Sequence, residues 1–293
     1  MELQWELILF TTFIAWSAGL FGAQALAAAF GQAKKAQFAS WIAAAVLLVV
    51  GGIAVFFHLK HWERIFNGFG NPTSGITQEL IALLALAVVA IVYLVAVKRS
   101  EDGGSVPKWL AWIAVIVSAA TVIVMAHSYM MVSRPAWDSF VWLAYVLGNS
   151  LVLGPATLAV IAAVTGEADF KQLGLWALIG ALASLLLALA YAVSIQGVGA
   201  AFTDVGLYFD PTHPTKVMAD ANATLADQAL LLWLGAVVVG AALPAVGALV
   251  AWRKNDATAW KLFGSGIIVC ALIGAIALRV VFYNVGLSVF MFY

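Results

Sequence analysis

Cysteine is nearly missing from this chain: Cys270 stands alone, inside an apolar run. One thiol makes no intrachain disulfide, no CxxC pair and no four-thiolate set for an iron–sulfur cluster. Charge is the second scarcity. Only 10% of the 293 residues are Asp, Glu, Lys or Arg, and 14 of each sign leave a formal net charge of zero. With no basic surface to meet a polyanion, no nucleic-acid partner is expected. Long polar stretches are scarce too, which leaves little chain for a water-exposed domain.

What fills the sequence instead is apolar. Hydrophobic residues make up 65%, against roughly 45–50% in ordinary globular domains, and the mean hydropathy is +1.04. Apolar runs recur at the length of about 20 residues that a helix needs to cross a hydrocarbon core ~30 Å thick. Eight spans are predicted, near residues 5–30, 41–58, 78–97, 109–132, 139–164, 173–199, 228–252 and 260–283. The runs are continuously apolar, whereas barrel strands alternate and are half as long, so helices are expected. Pro155 and Pro244 fall inside spans, where neighbouring helices re-satisfy the freed backbone groups. The expected fold is an all-α integral membrane protein with eight transmembrane helices, a single polytopic domain over residues 1–293. A faint internal echo points to two four-helix bundles: the second and sixth spans each precede a long loop, and Gln-Glu-Leu at 78–80 is echoed by Asp-Gln-Ala-Leu at 227–230. The opening Met-Glu-Leu-Gln-Trp-Glu has no basic n-region, so the first run is expected to be a retained span and not a signal peptide.

Orientation follows from lysine and arginine. Loops after the odd-numbered spans hold Lys34, Lys35, Lys98, Arg99, Lys108, Lys171, Arg253, Lys254 and Lys261. Loops on the other side hold only Lys60, Arg64, Arg134 and Lys216, with Arg279 inside a span. The richer side is expected in the cytoplasm, with both termini outside, in the cell's inner (cytoplasmic) membrane. Tryptophans mark the same boundaries, Trp5, Trp62, Trp137 and Trp142 outside and Trp41, Trp109, Trp112, Trp176, Trp252 and Trp260 inside. The two longest connections, 59–77 and about 200–227, are both on the outer side, which makes that face the expected docking surface.

Ionisable groups inside or beside spans are costly, and each is a functional hypothesis. The stretch from Phe56 to Glu79 holds two of the four histidines and two of the 14 acidic residues. His58 ends an outward-running span and Glu79 opens the next. His127 lies 18 residues past the inner-face Trp109, ~27 Å along the helix, and Arg279 lies 19 past Trp260, ~28 Å along. Four polar groups from four helices are therefore expected at one depth, near the outer leaflet. Taken singly each has a plain structural reading. His58 is as well explained as an interfacial ring among headgroups, and Glu79 as a carboxylate favouring a helix N-terminus behind a Thr77 cap. Arg279 can snorkel, His127 can hydrogen-bond a neighbouring helix, and His61, Glu63 and His213 read as solvated loop residues. Together they suit quinol oxidation, which releases two protons with two electrons and asks for an acceptor near each ring hydroxyl. Histidine and carboxyl groups serve when their pKa values lie near working pH, and Phe57, Trp62 and Phe66 could line the ring.

Several short motifs carry a resemblance. His58-Leu59 followed by Arg64 and Phe66, Glu79 opening a span, Ser128-Tyr129-Met130 with Arg134-Pro135-Ala136-Trp137, Gly154-Pro155, and Arg279-Val-Val-Phe-Tyr283 occur in that order. The chain resembles, over essentially its full length, the membrane anchor subunits of dimethyl sulfoxide reductase. The resemblance implies an anchor that binds menaquinol without haem, with His58 and Glu79 as the site residues; Arg64, His127 and Arg279 are expected beside them from the reading of the polar residues above. It also implies two partners: a four-cluster iron–sulfur subunit on the outer face and a molybdopterin subunit that reduces the terminal acceptor. The sequence departs from that family at His127, where relatives can carry arginine, and at Ala275, where a glutamate often stands. Two other readings stay open. His58 and His127 at similar depth are candidate axial ligands of a b-type haem, and eight spans with an internal echo also fit a secondary transporter.

Overall fold

The computed structural model describes residues 3–59, 61, 67, 69–202 and 220–288. Among these there is no strand; eight helices are long and apolar enough to cross a membrane. They are α1 (Trp5–Ala29), α2 (Gln37–His58), α3 (Gly75–Arg99), α4 (Lys108–His127), α5 (Phe140–Val164), α6 (Lys171–Ala200), α7 (Leu231–Lys254) and α8 (Ala257–Val285). Local signals set several ends. Ser139 caps α5 by accepting from the Val141 N–H at 3.2 Å, and Asp256 caps the start of α8 by accepting from Ala259 at 2.7 Å. Asn255, in the left-handed conformation at φ 51°, ends α7.

The helices pack in two sets of four. In the first, α1 lies against α2 and α4, and α3 against α4; in the second, α5 lies against α6 and α8, and α7 against α6 and α8. The sets meet through α1 and α5, the two most buried spans. Glycines make close approach possible at this seam and within the second set. A methyl group added at Gly154 of α5 would run into the backbone carbonyl of Gly19 on α1, and one at Gly240 of α7 into the backbone of Gly274 on α8. Helices in lipid associate through such close packing, because lipid chains are as apolar as the side chains they would replace. Before Pro244, α7 widens into π-helical turns over Leu231–Ala242. A second π-helical stretch, Trp260–Gly264, opens α8.

One expected boundary is wrong. Apolar character carries the fourth predicted span to 132, but α4 stops at His127 and residues 128–139 run as turns. The Ser128 hydroxyl there bonds back to Met125 O at 2.8 Å, and Arg134 turns toward the chain's last described segment. Polar groups and Pro135 break the helix where hydropathy alone continues it.

At one end the connections after α1, α3 and α5 touch one another. Lys34 Nζ meets Asp102 Oδ2 at 2.7 Å, and Lys35 donates from its backbone to Glu167 Oε1 at 2.7 Å and from Nζ to Gly166 O at 3.0 Å. At the opposite end lie the start of α1, the turns after α4 and the residues after α8, with Arg134 donating to Gly286 O. The faces of α2 and α3 turned away from the bundle are bare and apolar, as lipid contact requires; Val46 is 55% and Val88 60% exposed.

Candidate functional site

A cavity of ≈ 360 Å³ lies at the end where α1 begins. Its floor is Leu7 and Phe10 of α1, one wall Val55 and His58 of α2, the facing wall Ile76, Glu79, Leu80 and Leu83 of α3. Ser128, Tyr129, Met131, Arg134 and Trp137, from the turns after α4, close the remaining side, and Gln4 sits at the rim. A mostly apolar hollow with a few convergent polar groups is the usual form of a small-molecule site.

Each polar group has a local reason for its place. His58 is the last residue of α2, exposed at the mouth. Glu79 is in the second turn of α3, half-buried, and accepts a hydrogen bond from Ser128 Oγ. Glycine at 75 lets α3 start beside Ser128: a Cβ there would sit 2.9 Å from the Ser128 Cβ. The serine hydroxyl has two acceptors within reach, Glu79 Oε1 and Met125 O, and a single hydrogen. When Glu79 is ionised, Ser128 can donate to it. When Glu79 carries a proton, the carboxyl can donate to Ser128, whose own hydrogen turns to the Met125 carbonyl. Both protonation states are therefore served without moving the backbone.

Behind the cavity stands an aromatic wall. Tyr129 meets Trp137 edge-on with centroids 6.1 Å apart, Trp137 stacks on Phe282 at 5.0 Å, and Phe282 stacks on Trp142 at 3.6 Å. Trp137 Nε1 donates to Phe282 O at 2.7 Å, and the Arg134 guanidinium lies 4.6 Å from the Trp137 ring centroid. No family model matches the chain, and no curated protein matches it.

Of the five residues expected at the site, His58 and Glu79 line one cavity. His127 does not: it ends α4 exposed and is absent from the cavity lining, so similar depth does not bring it to His58. Arg279 also lies elsewhere. It is fully buried between α1, α5 and α8, donating Nε to Thr11 Oγ1 at 2.9 Å, Nη2 to Thr11 O at 3.2 Å, and Nη1 to Ala275 O at 3.1 Å and Asn149 Oδ1 at 3.4 Å. It does not snorkel and does not reach the cavity wall. Arg64, with Trp62 and Phe66, lies outside the described residues, as do Glu63 and His213. Ser128, Tyr129, Arg134 and Trp137 are lining residues that the site expectation did not include. Their signal was present, because a polar Ser-Tyr pair and an Arg-Pro-Ala-Trp run interrupt an otherwise apolar sequence. Among the described residues no three His, Cys, Asp or Glu side chains gather into a metal-holding group.

Proposed function

We propose that this protein is a quinol-oxidising membrane anchor, with the ring of a menaquinol held in the cavity between His58 and Glu79. One observation carries the reading: an imidazole and a carboxyl on consecutive helices face the same apolar-walled hollow, at one end of a bundle with few other ionisable groups. Oxidation breaks both ring O–H bonds. One proton goes to the His58 imidazole and the other to the Glu79 carboxylate, while two electrons leave for an iron–sulfur partner docked at the same end. His58, exposed at the mouth, can return its proton to the aqueous side. The Ser128 hydroxyl accommodates the change of charge on Glu79 as described above. A hollow at one end also suits the electron path, since a site across the ~30 Å core from its acceptor would be far from it.

The resemblance to dimethyl sulfoxide reductase anchors agrees with this reading and extends it to a four-cluster iron–sulfur subunit and a molybdopterin subunit. In an assembled complex, His58→Ala and Glu79→Gln are expected to abolish quinol-dependent reduction of the terminal acceptor while dye-driven reduction continues. Each variant removes a proton acceptor, an effect of roughly 10²–10⁴-fold for general base catalysis. Quinol turnover at wild-type rate in both variants would refute the assignment.

A further inference from the structure

The two halves of the bundle differ at one place. In the second half α6 and α7 pack along each other, while in the first half α2 and α3 barely touch. Two hydrogen bonds join α2 to α3 at the end away from the cavity: Trp41 Nε1 donates to Ala90 O at 2.8 Å, and Tyr93 Oη to Gln37 Oε1 at 2.8 Å. From there the helices part, with α1 as the floor between them. Two hollows follow each other along this cleft. The first is the cavity of His58 and Glu79, ending at Leu83; the second, of ≈ 140 Å³, begins one turn on at Leu86 and runs to Trp41 and Ala90. Its lining is apolar apart from Ser17, whose hydroxyl is already committed to Ala44 O at 2.7 Å. From Glu79 to Ala90 the cleft measures ~16 Å along the helix.

We propose that the α2–α3 cleft seats the isoprenoid tail of the quinol whose ring occupies the cavity. This inference rests on the quinol reading and adds the path of the tail. The succession of the two hollows along one cleft supports it: a ring lying between His58 and Glu79 has the apolar trough next along α3, and the Trp41–Ala90 bridge closes the far end. A polar or short ligand would leave that trough without a purpose. Because lipid chains are as apolar as the trough, the tail gains packing and a fixed direction for the ring, not transfer free energy.

The test uses the full chain in lipid nanodiscs and a naphthoquinone whose isoprenoid tail ends in a photoreactive diazirine. Saturable labelling concentrated on residues 41–49 and 86–91 is expected, and an excess of unlabelled quinone should remove it. Filling the trough with Ala87→Phe, or with Ala45→Phe should the first variant not fold, is expected to abolish labelling there. Val88→Phe, on the lipid face of the same helix, should leave it unchanged. Saturable ring binding with labels scattered over other lipid-facing helices would overturn the tail path and leave the ring site standing. Absence of any saturable binding, by label or by quenching of tryptophan fluorescence, would overturn both.

Discussion

Arg279 carries a permanent charge at a place where none of its partners is charged. Its guanidinium is met by a hydroxyl, two backbone carbonyls and an amide oxygen, supplied by α1, α5 and its own helix. The forked shape of arginine is what lets one side chain reach all of them. Arg279→Lys keeps the charge but offers a compact ammonium that cannot span Thr11 and Asn149 together. The expected result is a loss of about 2 kcal/mol, the scale of hydrogen bonds to a charged group, read as a lower melting temperature of the purified protein in detergent. The sequence made this residue visible as an anomaly, and helical rise gave its depth, but neither could say which way it faced. His127 shows the same limit. Depth is one coordinate along an axis, while a site also needs the rotation of each helix, which packing decides.

Asp102 is a second residue whose surroundings make a prediction. Lys34 beside it, with the Ser105 hydroxyl and the backbone of Gly104 and Ser105, holds its carboxyl well below the usual carboxylate range. A carboxyl depressed on folding contributes stability that is present above its unfolded pKa, ~3.9, and that is lost as pH falls through the lower folded value. The contact between the loops after α1 and α3 should hold at neutral pH and loosen only in strong acid. Because the pair is exposed, added salt should loosen it as well. Limited proteolysis of residues 100–107 across pH and salt reads the effect, and cleavage indifferent to both would contradict it.

At the scale of elements, the apolar runs led to eight helices because length and continuous hydropathy are what a bilayer demands of a segment. The end of α4 was not legible that way: Met130, Met131 and Val132 are apolar enough to continue a span, yet Ser128 and Arg134 find better partners by leaving it. That short turn supplies one whole side of the cavity, so an error of five residues in one boundary hid Ser128 and Tyr129 from the site; Arg134 and Trp137 were read as loop and interface residues, because the sequence does not say which way the turn folds. Helix contacts are set by residues with almost no side chain, which hydropathy overlooks. Gly154 illustrates this. Gly154→Leu would force α5 away from the Gly19 carbonyl on α1, the seam between the two halves. The expected cost is about 1–3 kcal/mol or more, as for other overpacked interiors, measured by thermal unfolding. Gly52→Leu is the control: nothing lies within 4 Å of a Cβ at Gly52, so it should unfold no earlier than wild type.

For the whole molecule, charge separates the two ends. The loops that bring Lys34, Lys35, Asp102, Gly166 and Glu167 together form one end, and the cavity opens at the other. From the nine-to-four bias of Lys and Arg we propose that the first end faces the cytoplasm and the cavity the outer side. The native thiol situation makes this easy to test, because Cys270 is the only cysteine. In a Cys270→Ala background, Asn71→Cys and Ser105→Cys put one exposed thiol at each end. A membrane-impermeant maleimide added to intact cells stripped of their outer barrier should label Asn71→Cys at once, and Ser105→Cys only after the inner membrane is opened. The reverse pattern would turn the cavity toward the cytoplasm. On the proposed quinol reading, His58 would then release protons inside, and an iron–sulfur partner would have to dock on the cytoplasmic side.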